Sequence, residues 1–191
     1  MLNFSNFHRL DPAARDVTIE LLADADHHQP PSFMSFTYRW MAFNGWMSAV
    51  TLEDKDWAMI NTMAASPRLI AAHDQLMEAV AAYRELVGDF AAKWPVLNVR
   101  DVRAKLGYDA FRQLDRPALL ATNVKRQPEA WVVGGAPTWE QLLRAIYQVR
   151  CNLFHGEKSP QSMRDRELVI ASDHILRAFI NGTDCFNWSD L

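Results

Sequence analysis

The chain has 191 residues, of which 49% are hydrophobic and 23% are charged, with a formal net charge of −3 at pH 7. This length and composition fit one globular domain and exclude a disordered or fibrous protein. Two cysteines are too few for a disulfide scaffold, no stretch approaches the roughly 18 apolar residues of a membrane span, and the first residues lack a signal-peptide pattern, so we expect a cytoplasmic protein without membrane association.

Residues 1–31 predict an N-terminal extension. We expect a short helix from about Pro12 to Leu22, followed by a loop that ends in two prolines. The loop contains Asp24, Asp26, His27 and His28, which are metal-capable residue types. Neighbouring side chains on a loop point apart, however, so we predict no metal site and no cofactor.

The segment that begins at Ser32 or Ser35 predicts the first core helix. Serine is a preferred helix N-cap, and large apolar residues then recur at spacings of three and four. These residues are Phe33, Phe36, Trp40, Phe43 and Met47. Asn44 lies within this apolar stretch, and a buried amide must find partners. It is either a satisfied core side chain or an amide that orients a functional group.

Two more core helices are expected before residue 95. One runs from about Glu53 to Ala65, and the next begins after Pro67 and reaches Phe90 or Trp94. The apolar face of the first helix contains Trp57, Ile60 and either Met63 or Ala64. That of the second contains Leu69, Leu76, Val80, Tyr83 and Val87, with His73 as a partly buried histidine.

Residues 95–137 predict a partly helical insertion, because prolines and glycines interrupt the pattern there. Residues 93–126 carry eight Lys or Arg against three Asp or Glu, whereas residues 1–92 carry six against twelve. Clustered cations attract phosphate, so this basic island is a candidate RNA-binding surface, and a solvated loop face is the alternative. The candidate RNA contacts are Arg112, Arg116, Lys125 and Arg126, and the island also contains Arg100, Arg103 and Lys105.

Two helices are expected to close the chain. The first is capped by Thr138 with Gln141 three residues later and ends at Gly156. The second runs from about Met163 to Ile180, with Asn181-Gly182 as its stop. We therefore predict an all-α, up-and-down bundle of four to five main helices, with the insertion at 95–137, as a single domain over residues 1–191.

The helix after Thr138 is apolar on two sides. At 100° per residue, Leu142, Ile146, Val149 and Leu153 form a seam for the bundle core, and Tyr147, Cys151 and Phe154 form a second apolar strip. A second apolar side in a small domain is expected to face another subunit, so the strip predicts a homodimer interface.

Arg150 and His155 flank this strip and are not needed for core packing. An arginine fork matches phosphate geometry, and a histidine with a pKa of about 6.5 suits proton transfer near neutrality. In the alternative interpretation, Arg150 reaches into solvent and His155 interacts as a cation with the last helix carbonyls.

The spacing R-x-x-x-x-H from Arg150 to His155 resembles the motif of HEPN (higher eukaryotes and prokaryotes nucleotide-binding) domains. The segment Trp40 to Asn44 is similar to the aromatic-x-x-F-N of many such proteins, and the closing helix also resembles theirs. The similarity covers residues 33–90 and 138–181. Two positions differ from the family, since Cys151 follows the arginine where a polar residue is common and Glu157 replaces a tyrosine found in one subset.

The resemblance implies a helical dimer in which two motifs form one composite, metal-independent endoribonuclease site. Arg150 and His155 are then the catalytic pair, with Asn44, Asn152 and Lys158 in supporting positions. Family members are often toxins or anti-phage effectors, which implies RNA as the substrate and an antitoxin or defence-system protein as a partner. The alternative is a non-catalytic helical dimer that binds a nucleotide, RNA or a protein.

Overall fold

A computed structural model describes residues 2–28, 31–154 and 163–190, apart from the side chains of residues 111 and 112. The fold is all-α, as predicted. Its main helices are α1 (Pro12–His27), α2 (Phe33–Thr51), α3 (Asp56–Ala64), α4 (Pro67–Ala79), α5 (Ala81–Ala91), α9 (Trp139–Phe154) and α10 (Met163–Thr183). The insertion contains α6 (Val99–Leu106), α7 (Ala110–Gln113) and α8 (Arg116–Ala121), together with strands β1 (Val96–Leu97) and β2 (Arg126–Gln127). Short 3-10 helices lie at Phe4–Arg9 and Cys185–Asn187.

Helix α2 lies at the centre of the main core. Helices α1 and α10 pack against it, α10 also packs against α5, and α9 contacts both α3 and α4. The ring of Trp139 on α9 stacks on Phe179 of α10 with centroids 4.4 Å apart, and its indole N–H donates to the carbonyl of Met63 at 3.0 Å. An aromatic side chain with a satisfied polar group thus joins three helices at a buried position.

Reciprocal capping boxes start two of the predicted helices. Ser32 accepts from the backbone N–H of Ser35, and the Ser35 hydroxyl accepts from the backbone N–H of Ser32, which is a capping box. Thr138 and Gln141 make the same reciprocal pair before α9, with distances of 3.1 and 3.3 Å. Both predicted N-termini are confirmed.

Helix α1 is longer than expected. Residues Asp24 to His27 belong to the helix and not to a loop. Asp26 lies 3.0 Å from Arg39 of α2 and 3.1 Å from Arg177 of α10. These two ion pairs hold the last turn of α1 against the bundle, which a local sequence pattern does not reveal.

The single helix expected from Pro67 to Phe90 is two helices. Val80 adopts an extended conformation between α4 and α5 and is 40% exposed, so its place in the apolar stripe is also wrong. The side chain of Arg84 donates to the carbonyls of Met77 and Glu78 at 2.7 and 3.2 Å. The carbonyl groups in the last turn of α4, which have no partner within the helix, therefore accept hydrogen bonds from a side chain of the next helix.

Helix α10 passes through Gly182, which was expected to stop it. A Cβ at this position would lie 2.9 Å from Cδ2 of Leu76 on α4. The glycine thus permits a close approach of α10 to α4, and the helix ends after Thr183.

The insertion has a small core of its own. Leu97, Val102, Ala110, Leu119 and Val124 are buried together. The strands pair antiparallel, with Val96 opposite Gln127 and Leu97 opposite Arg126. This two-stranded ladder was not predicted, because each strand is only two residues long and leaves no alternating pattern in the sequence.

Candidate active site

Arg150 lies on α9, four residues before Phe154, with its side chain 22% exposed. Its Nη1 is 2.8 Å from Oδ2 of Asp56, the first residue of α3. The guanidinium carbon is 4.8 Å from the ring centroid of Phe154 and 6.0 Å from that of Tyr147. The predicted phosphate-binding cation is thus oriented by a carboxylate and an aromatic face.

Asp56 is part of this site, although no motif in the sequence indicates it. An acidic residue at the start of a helix is common for reasons of helix stability alone, so the sequence carries no signal that connects it to Arg150. Trp57 was expected on the buried face of this helix, but it is 58% exposed. Met59, Ile60 and Met63 supply the buried face.

The second apolar strip of α9 is partly used within the monomer. Leu143, which lies beside the strip on the helical wheel, is completely buried. The ring of Tyr147 stacks on Trp40 of α2 with centroids 6.1 Å apart, and burial raises the pKa of its phenol. Cys151 is half-buried, and Phe154 is 44% exposed. Of the three predicted interface residues, Phe154 therefore presents the most surface to a partner.

Asn152 is 3% exposed, and its amide joins α9 to the insertion. Its Nδ2 donates to the carbonyl of Leu97 at 2.8 Å, while its Oδ1 accepts from the backbone N–H of Val99 at 3.2 Å and from Gln148 at 3.0 Å. The donor and the acceptor of this amide are both used inside the chain. This contact was missed because it depends on the position of β1 and α6.

Asn44 lies on α2, one helical turn after Trp40, and is half-buried. Its Oδ1 is buried and has no hydrogen-bond partner among the described residues. An unpaired buried acceptor is costly. Asn44 therefore does not fit the first of its two interpretations, a core asparagine whose amide makes all its hydrogen bonds.

His155 and Lys158, the predicted proton-transfer residue and phosphate contact, lie outside the described residues, as does Glu157. The side chain of Arg112 is also outside the description. Their predicted roles therefore stay predictions.

Two cations of the basic island are used within the fold. Nη2 of Arg116 lies 2.9, 3.0 and 3.3 Å from the carbonyls of Lys93, Trp94 and Pro95. Arg126 donates to the carbonyl of Leu120 in α8 and to those of Thr122 and Val124, which follow the helix. These two side chains therefore supply donors to backbone carbonyls within and beside the insertion and stabilise it.

The solvent-exposed part of the basic island is smaller than the charge count suggests. Lys125 is exposed, and its backbone N–H donates to Asp101 at 2.7 Å. Asp101 also pairs with Lys105 at 3.0 Å, and both interactions lower the pKa of this carboxyl. Arg100 is exposed. On the other flank of α6, the guanidinium carbon of Arg103 lies 4.4 Å from the ring centroid of Tyr108, a side chain that is 76% exposed.

Within residues 2–28, 31–154 and 163–190, no helix is long and apolar enough to span a membrane. In the same part of the chain, no group of three or more His, Cys, Asp or Glu side chains is placed to hold a metal ion.

Comparisons with protein-family models, with curated proteins and with solved structures give no match for this chain. The resemblance to HEPN domains therefore rests on the motif residues and on the helical pattern around them.

Proposed function

We propose that the chain is a HEPN-like endoribonuclease that cleaves RNA by attack of a 2′-hydroxyl on the adjacent phosphorus. The observation that carries the proposal is the position of Arg150. This cation is partly exposed at the end of α9, is fixed by Asp56 and Phe154, and precedes His155 by five residues. A phosphate-binding group and a proton-transfer group are thus expected at one end of one helix.

The proposed reaction needs three functions. A histidine accepts the proton of the 2′-hydroxyl as the 2′-oxygen–phosphorus bond forms. Arg150 stabilises the negative charge that develops on the phosphoryl oxygens. A second histidine, already protonated, gives its proton to the 5′-oxygen as the bond between phosphorus and that oxygen breaks. The products are a 2′,3′-cyclic phosphate and a 5′-hydroxyl, and side chains alone supply every group.

Two copies of His155 would supply the base and the acid if the chain forms a symmetric dimer around the end of α9. Phe154 lies next to Arg150 and is 44% exposed, which favours this end of the helix as a contact between copies. Lys158 is proposed as a further phosphate contact. DNA lacks the 2′-hydroxyl and should not be cleaved.

The second candidate is a non-catalytic dimer that binds RNA, a nucleotide or a protein, for example a defence-system partner. The ion pair between Asp56 and Arg150 also favours this candidate. The carboxylate neutralises the guanidinium, and such a pair has a structural role that needs no catalysis. The exposed Tyr108 beside Arg103 would suit stacking of an unpaired base on the insertion.

The two candidates differ in RNA cleavage. Purified protein is incubated with RNA in EDTA, and products are analysed for 2′,3′-cyclic phosphate ends. Arg150→Ala and His155→Ala are expected to abolish cleavage. Arg144→Ala is the matched control, since Arg144 is on the same helix and pairs with Glu140 at 2.9 Å. Binding of RNA without cleavage by the wild type would favour the second candidate.

A further inference from the structure

Asp56 holds the guanidinium of Arg150 from a rigid support. Helix α3, which begins at Asp56, is fixed to α9 at its other end by the hydrogen bond from Trp139 to the Met63 carbonyl at 3.0 Å. Met59, Ile60 and Met63 are buried along its inner face. The carboxylate of Asp56 therefore has a defined position relative to the part of α9 that carries Arg150.

The ion pair is partly removed from water. The side chain of Arg150 is 22% exposed and that of Asp56 is 29% exposed, with 2.8 Å between Nη1 and Oδ2. The ring of Phe154 lies against the guanidinium at 4.8 Å. A long, flexible side chain is thus held in one orientation by a carboxylate acceptor and by an aromatic face.

A guanidinium has five N–H donors, and one contact with a carboxylate leaves capacity for phosphate oxygens. The carboxylate has two opposing effects on such a site. It fixes the direction of the donors, which favours the transition state, and its negative charge repels a phosphate, which weakens ground-state binding.

We infer that Asp56 is a positioning residue for Arg150 in RNA cleavage. This inference rests on the proposed ribonuclease function. It predicts that replacing the carboxylate by a neutral amide lowers kcat without raising KM. Loss of positioning lowers kcat, whereas loss of the negative charge leaves KM unchanged or lowers it.

The test is the kinetics of Asp56→Asn, with Asp54→Asn as the matched control. Asp54 is an exposed acid two residues earlier, and its substitution removes the same charge from the loop directly before α3. We expect kcat of Asp56→Asn to fall at least tenfold with KM within twofold of wild type or lower, and kcat of Asp54→Asn to stay within twofold. Asp56→Glu restores a carboxylate and should recover part of kcat.

A purely structural role for Asp56 gives a different result. In that case, Asp56→Asn lowers the thermal unfolding midpoint, while kcat per folded molecule, judged by circular dichroism, equals that of wild type. This outcome, or a rise in KM without a fall in kcat, would overturn the inference.

Binding of a 2′-O-methyl RNA, which cannot be cleaved by this route, separates the inference from the function on which it rests. Fluorescence anisotropy should show equal or tighter binding by Asp56→Asn and weaker binding by Arg150→Ala. If the wild type binds this RNA but cleaves no RNA, the proposed function fails, and the role of Asp56 fails with it. If the wild type cleaves RNA and Asp56→Asn cleaves it equally fast, only the role of Asp56 is overturned.

Discussion

Arg39 of α2 and Asp173 of α10 form an ion pair inside the bundle. Their atoms Nε and Oδ1 lie 2.7 Å apart, and both side chains are at most 3% exposed. The Ser35 hydroxyl donates to the other carboxylate oxygen at 2.7 Å, and Asp26 pairs with Arg39 from α1 at 3.0 Å. Helices α1, α2 and α10 are therefore joined by one network of charged side chains, in which each charge has an oppositely charged partner.

Asp173→Ala should lower the free energy of unfolding by about 3 to 5 kcal/mol, because it leaves the guanidinium of Arg39 buried with one partner removed. Urea denaturation measures this change. Asp24→Ala removes an exposed acid from α1 and should change stability by less than about 0.5 kcal/mol. Equal midpoints for the two variants would show that the buried pair is not a main contributor to stability.

His155→Ala should lower RNA cleavage at least about 100-fold, which is the lower end of the contribution of a positioned acid or base. Its unfolding midpoint should stay close to that of wild type, since a cation near a helix C-terminus contributes at most about 1 kcal/mol in most settings. Single-turnover cleavage and thermal denaturation measure the two effects. An unfolded His155→Ala protein would instead assign the residue to the structure.

The sequence predicted those parts of the fold that depend on local patterns. The caps at Ser32 and Thr138 and the core seam of Leu142, Ile146 and Val149 are local features, and the structure confirms them. Features that depend on distant residues were missed. The break at Val80 is stabilised by Arg84 of the following helix, so helical periodicity alone does not indicate it.

The same distinction applies to the site. Residue type and spacing were enough to select Arg150, but not its partner Asp56, which lies on another helix. The count of charges predicted that Arg116 and Arg126 belong to an RNA-binding surface. In the structure, both side chains donate hydrogen bonds to backbone carbonyls. A count of charges does not distinguish cations that bind a ligand from cations that cap a helix.

His73 predicts a pH dependence of stability. Its Nε2 lies 3.0 Å from the carbonyl of Pro137, so Nε2–H is the donor, and its Nδ1 accepts from the Tyr83 hydroxyl at 3.0 Å. This histidine is completely buried, and burial lowers its pKa. Below a pH of about 6.5, the unfolded chain binds a proton that the folded chain does not, and so the free energy of unfolding falls as the pH falls.

The variant His73→Gln should remove this contribution, because glutamine does not titrate. Its free energy of unfolding is expected to be lower than that of wild type at pH 7.5, but to decrease less between pH 7.5 and pH 5. His27→Gln changes an exposed histidine and should keep the wild-type decrease. Parallel curves for wild type and His73→Gln would contradict the assignment of a neutral, buried His73.

The basic island should separate into binding and structural cations. Lys125→Glu should weaken RNA binding and reduce the slope of log K against log salt by about 0.7 for each lost contact with single-stranded RNA. Arg126→Ala should instead destabilise the insertion by about 1 to 3 kcal/mol, since it leaves the carbonyls of Leu120 and Val124 without this donor. Filter binding at several salt concentrations and thermal denaturation measure these effects. An unchanged slope for Lys125→Glu would leave the island as a solvated surface.

Phe154 provides the sharpest test of the proposed dimer. It is 44% exposed and lies beside Arg150, and covering this exposed part contributes a share of the roughly 1.5 to 3 kcal/mol that full burial of such a side chain provides. Phe154→Glu should therefore give a folded monomer that has lost RNA cleavage, because each composite site needs two chains.

Tyr147→Glu is not an equivalent test, since Tyr147 stacks on Trp40 and its replacement also disturbs the core. Exposed Val133, in the insertion, gives the control Val133→Glu, which should leave the dimer intact. Light scattering at tens of micromolar protein measures the oligomeric state, and a monomeric wild type, or full cleavage by monomeric Phe154→Glu, would exclude the composite site.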